Sequence, residues 1–275
     1  IEGLGIFIFS ILTQSVIGLA FWTAALAMPS IISHAGLISR GVYPKLLEGG
    51  NRHFLQDNIS QLFYFAFLMI GIVITFAKPS LYALNPIYES SFIIVIVLAL
   101  RNFFLLFTNT SIQNLSGIEN VDAKNNATFR DFIKSHLFYP HSLRLIQTIT
   151  FIIILTIGLI LLINSNAKDM DLLLFWSLVS LFTQIPLSLY LFKLMTKKLE
   201  INFPFLPVSK YFGTMILSFG ISYLLYQKFL LPNESALEFI PKLLVFVMIG
   251  ILLYFITSFI VDSKIRSLTK SIFKE

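Results

Sequence analysis

Seven stretches of this chain stay apolar for about 20 residues each, the length at which a helix crosses the roughly 30 Å hydrocarbon layer of a bilayer. They fall at roughly Gly3 to Ser30, Ile59 to Ala77, Ser91 to Gln113, Leu145 to Ile163, Leu172 to Leu194, Tyr211 to Phe229 and Leu243 to Val261. Lipid offers nothing to satisfy an open backbone, so every stretch is expected to be helical. The fold class that follows is an all-α membrane protein with seven transmembrane helices. Composition excludes a soluble domain: 56% of the 275 residues are hydrophobic, 12% are charged, and the mean hydropathy is +0.83, too apolar to cover a water-facing surface.

The basic residues alternate between the two sets of loops. One set carries Arg40, Lys45 and Arg52, then Lys124, Arg130, Lys134 and Arg144, then Lys193, Lys197, Lys198 and Lys210, and finally Lys264, Arg266, Lys270 and Lys274. The other set holds Lys78, Lys168, Lys228 and Lys242, a split of 15 against 4, with Arg101 alone inside a span. The positive-inside rule places the rich side in the cytoplasm of a multi-pass protein of the cell membrane. The net charge of +6 therefore reports topology and contact with anionic membrane lipids, and no nucleic-acid partner is expected.

Seven spans with the tail inside put Ile1 on the extracytoplasmic side. The opening IEGLGIFIFS has no basic region ahead of its apolar run and no small-residue cleavage site, so it does not read as a signal peptide. A start outside, followed at once by an inward-running helix, predicts the second part of a longer protein. Residues 1–262 are expected to form the membrane domain. Residues 263–275 read as an amphipathic basic tail on the inner leaflet, with Ile265, Leu268, Ile272 and Phe273 on one helical face. Between the first two spans, SHAGLISRGVYPKLLEGGNRHFLQDN mixes apolar and basic residues and suggests short interfacial helices after a stop at Pro29. Trp22, Trp176, Tyr64, Tyr211, Tyr226 and Tyr254 read as interface belts or packing residues.

Catalytic and metal chemistry find little support. There is no cysteine, hence no thiol nucleophile or cysteine metal site. His34, His53, His136 and His141 show no ligand spacing, and no phosphate-binding loop, dinucleotide glycine pattern or nucleophile elbow occurs. No metal or other cofactor is expected. None of the fourteen acidic residues falls inside a span, although ion-coupled transporters usually keep a carboxylate there.

The third span, SFIIVIVLALRNFFLLFTNTSIQ, carries the best candidate site. An arginine near mid-bilayer costs about 2.5 to 3.5 kcal/mol on insertion scales, so something must offset it. With Arg101 at 0° and 100° per residue, Thr108 falls near 340°, Asn109 near 80°, Asn102 near 100° and Gln113 near 120°, one arc of about 140°. Two accounts fit: a cation lining a water-filled cavity for an anionic substrate, or a structural arginine paired with a carboxylate from elsewhere. A whole polar stripe favours the cavity wall. Gln14, Gln147 and Gln184 are further polar intrusions, each read as helix-to-helix hydrogen bonding.

GLGIFIFS, AALAMPSIIS, Gly50-Asn51 and NPIYESSFIIVIVLAL occur in that order over the first 110 residues. In these motifs the chain resembles the C-terminal half of a Wzx-type polysaccharide or oligosaccharide flippase of the multidrug/oligosaccharidyl-lipid/polysaccharide exporter superfamily. Asn85-Pro86 stands where that family has a glycine before the tyrosine. The resemblance implies the second lobe plus two extra helices of a fourteen-helix, two-lobe transporter, with the N-terminal lobe of the same protein as a missing partner. It implies alternating-access translocation of a lipid-pyrophosphate-linked oligosaccharide for cell-surface polysaccharide biosynthesis. The substrate-binding residues would be Arg101, Asn102, Thr108, Asn109 and Gln113, a choice resting on their chemistry. A drug or metabolite antiporter of the same superfamily is the first rival, opposed by a cavity with Arg101 and no acid. A membrane glycosyltransferase or polymerase using polyprenyl sugars is the second, opposed by short outer loops.

Overall fold

In the computed structural model, which describes residues 2–41, 52–118, 128–135, 138–230 and 236–266, the apolar runs are helices and no strand occurs among the described residues. We number them α1 (Glu2–Thr13), α2 (Val16–Ala27), α3 (Arg52–Leu84), α4 (Phe92–Gly117), α5 (Phe129–Lys134), α6 (Tyr139–Asn164), α7 (Asp169–Lys198), α8 (Phe205–Phe229) and α9 (Ala236–Val261). Tight 3-10 segments cover Pro29–Gly41 and Pro86–Ser91. Seven segments are long and apolar enough to cross a membrane, beginning with Val16–Ser39. The segment 42–51, the loop 119–127, and 267–275 of the expected basic tail lie outside the described residues.

The second to seventh expected spans are all present as helices. The first requires correction, because Gly3 to Ser30 is two helices meeting in a turn. Gln14 takes a left-handed φ of 50°, and Ser15 caps α2 by accepting a hydrogen bond from the Gly18 N–H at 2.9 Å. Thr13 adds a side-chain acceptor for the Ser15 N–H at 3.2 Å. Such local side-chain bonds offer the backbone an alternative to continuing the helix. α1, at 12 residues, rises only about 18 Å and cannot cross a bilayer alone. Gln14 is therefore a hinge and not an interhelical bridge.

Trp176 of α7 holds this hairpin. Trp22 stacks on it at a centroid distance of 3.6 Å and Phe9 at 5.5 Å. Gly5 allows α1 to approach so closely, since a Cβ there would lie 2.6 Å from the Trp176 ring. Both tryptophans are fully buried, as are Tyr64, Tyr211 and Tyr254, so these aromatics pack the core and do not form interface belts. Pro29 ends α2 without sending the chain to the interface. The segment Pro29–Gly41 instead continues down the bundle, packed on α3 and α4.

α4 is the central helix, packed most extensively on α7 and also on α3 and Pro29–Gly41. The two sets of loops form two opposite ends. At the basic-poor end Lys78 pairs with Glu89 at 3.1 Å, beside Tyr223, Tyr226, Gln227 and Phe239. At the basic-rich end Lys264 pairs with Asp57 at 2.7 Å, and the Tyr211 hydroxyl donates to Asp262 at 2.5 Å.

Candidate functional site

Arg101 stands nine residues into α4, roughly 13 Å along its axis, and is 5% exposed. Its Nη1 donates to Glu2 Oε1 at 2.5 Å and to Asn102 Oδ1 at 2.9 Å. The hairpin explains the first contact. α1 starts beside Arg101 and the first turns of α6, then runs to the basic-poor end, where Ser15 donates to Asp169 at 2.5 Å. A carboxylate that reads in sequence as a terminal residue is thus carried into the layer of helices. It offsets much of the cost of burying the guanidinium. The pair is unequal, since the side chain of Arg101 is 6% exposed and that of Glu2 is 49% exposed.

Glu2 and Arg101 share a cavity of about 570 Å³ with Gly3, Leu105, His141, Arg144, Leu145 and Thr148. Arg144 reaches across to Asn109 Oδ1 at 3.4 Å. Asn102, Leu105, Asn109 and Gln113 also line a smaller cavity of about 180 Å³ against Ser33, Gly36 and Leu37. The two cavities meet at Leu105, so a polar wall runs from Arg101 toward the basic-rich end. In the Pro29–Gly41 segment Ser33 lines that wall, and Ser30 and His34 near it and Thr23 of α2 are exposed, as are Ile31 and Leu37. The outward face of α6 is different in kind, presenting Ile149, Ile153, Ile157 and Leu161. Large aliphatic residues suit lipid, whereas exposed hydroxyls, amides and imidazole at membrane depth suit water or protein.

Four of the five residues singled out in the sequence, Arg101, Asn102, Asn109 and Gln113, line these cavities. Thr108 does not. It is fully buried, receives Gln184 Nε2 at 2.8 Å and bonds Ser188 at 2.7 Å. Gln147 Nε2 donates to Gln184 at 2.9 Å, so Thr108, Gln147, Gln184 and Ser188 tie α4, α6 and α7 together, as interhelical polar groups do in membranes. Glu2, His141 and Arg144 are the site residues that sequence reasoning passed over. Pro140 was the available signal for two of them: proline favours the first helical turn, and with α6 beginning at Tyr139, His141 and Arg144 belong to the helix and not to a loop.

Among the described residues the cavity holds one carboxylate against two guanidiniums, with an imidazole beside them, an arrangement that suits a ligand with a concentrated negative charge. Among the described residues no three His, Asp or Glu side chains come together as a metal site. No protein-family model, curated protein or solved structure matches this chain.

Proposed function

We propose that this chain forms part of a transporter that moves a lipid-pyrophosphate-linked oligosaccharide across the cytoplasmic membrane for cell-surface polysaccharide biosynthesis. The observation that carries the reading is the polar wall at membrane depth, with Arg101 and Arg144 on one cavity. An amphiphile with a pyrophosphate and a sugar head needs such a path, since neither group crosses hydrocarbon unaided. Guanidinium forks fit phosphate oxygens in pairs, and the amides of Asn102, Asn109 and Gln113 suit sugar hydroxyls. The resemblance to Wzx-type flippases supplies the second lobe and the alternating-access cycle. The positive-inside rule makes the basic-rich end cytoplasmic.

Removal of the full-length protein from its cells tests this reading. The expected result is accumulation of the lipid-linked oligosaccharide in the inner leaflet with loss of surface polysaccharide. Normal surface polysaccharide with no accumulated precursor would overturn it.

A further inference from the structure

Among the described residues Glu2 is the one carboxylate on the Arg101 cavity, and it already occupies the guanidinium that an anionic ligand would need. We propose that Glu2 is a built-in competitor, an internal counter-anion that holds Arg101 while the cavity is empty and is displaced by an incoming phosphate group. This rests on the anion-site reading of the same cavity and adds how the site is released.

Several features suit exchange better than a permanent ion pair. Glu2 and Asn102 both bond the same nitrogen, Nη1, so the contact is one-pronged and not the paired fork that guanidinium makes with its best partners. A phosphate group offering two oxygens can therefore outbid it. Glu2 is half exposed while Arg101 is buried, so the carboxylate is the partner able to move away whereas the guanidinium stays in place. The first turn of α1 is loosely packed among the described residues: a Cβ on Gly3 would meet nothing within 4 Å. Among the described residues Arg144 meets Asn109 Oδ1 in a long 3.4 Å contact, from which it can turn toward the same ligand. His141 is the remaining titratable group among the described residues on the cavity.

Competition has a quantitative signature. Apparent affinity falls by the fraction of time the site is free, so if Glu2 holds Arg101 nine-tenths of the time, its removal tightens binding about tenfold. The test measures inorganic pyrophosphate binding at one pH to the full-length protein in nanodiscs, with size exclusion confirming each variant's fold. Glu2→Gln is expected to bind about tenfold more tightly than the wild type, and Arg101→Gln not measurably. Glu2→Asp keeps the charge in the cavity but shortens its reach, and is expected to fall between the wild type and Glu2→Gln; it decides the matter if Glu2→Gln does not fold. Equal or weaker binding by the folded Glu2 variants, with Arg101→Gln still abolishing binding, would overturn the competitor role and leave the anion site standing. Failure of both the wild type and Glu2→Gln to bind would overturn the anion site and the competition together.

Discussion

On the proposed function, Arg101→Ala in the full-length protein is expected to reduce glycan export at least about twentyfold while the chain still inserts in the membrane. Arg101 is the buried charge on the cavity, and Asn102 of the same helix accepts from its Nη1 at 2.9 Å. Removing one partner of a desolvated, hydrogen-bonded charge pair costs about 2 to 5 kcal/mol, and each 1.4 kcal/mol is about tenfold. Arg101→Lys is expected to fall between, since ammonium keeps the charge but loses the planar fork. Quantifying surface polysaccharide, with membrane-fraction immunoblots for insertion, separates loss of transport from loss of the protein. Export at the wild-type rate by an inserted Arg101→Ala protein would remove Arg101 from the substrate path.

Trp176→Ala is expected to cost about 3 to 5 kcal/mol of stability, the range for truncating a large buried aromatic. Helices in lipid gain little from hydrophobic burial against one another and depend on close packing. Trp176 concentrates that packing, because Trp22 and Phe9 both stack on it and Gly5 rests against its edge. Its loss frees α1 and α2 from α7 together, and with α1 goes the contact between Glu2 and Arg101. Trp176→Phe is expected to retain most of the stability. Unfolding midpoints in detergent check both, and a Trp176→Ala midpoint within error of the wild type would show that the hairpin is held by other contacts.

Hydropathy made the second to seventh spans legible because burial in lipid needs nothing beyond length and apolarity. It misread the first, since both legs of the α1–α2 hairpin are apolar and hydropathy carries no direction. Thr13-Gln14-Ser15 held the turn signal, but three polar residues in a long apolar run also suit an interhelical hydrogen bond. Once the turn is missed, Glu2 is assigned to a rim instead of to Arg101. The helical angles placed Asn102, Asn109 and Gln113 correctly on the cavity side of α4. They could not place Thr108, on the other flank of Arg101, because an angle does not say which helix lies opposite, and there α7 supplies Gln184 and Ser188.

If the wall along α4 is a substrate path, water reaches it at membrane depth. These 275 residues contain no cysteine, and single cysteines introduced into them, in a full-length protein cleared of any other cysteine, can be titrated with a water-soluble thiosulfonate in intact membranes. The reacting species is the thiolate, which forms in water and is suppressed in hydrocarbon. Ser33→Cys and Asn109→Cys are predicted to react readily, and Ile153→Cys and Ile157→Cys, on the aliphatic face of α6, to be spared. Protection of Ser33→Cys and Asn109→Cys equal to that of the α6 positions would contradict a water-filled path along α4.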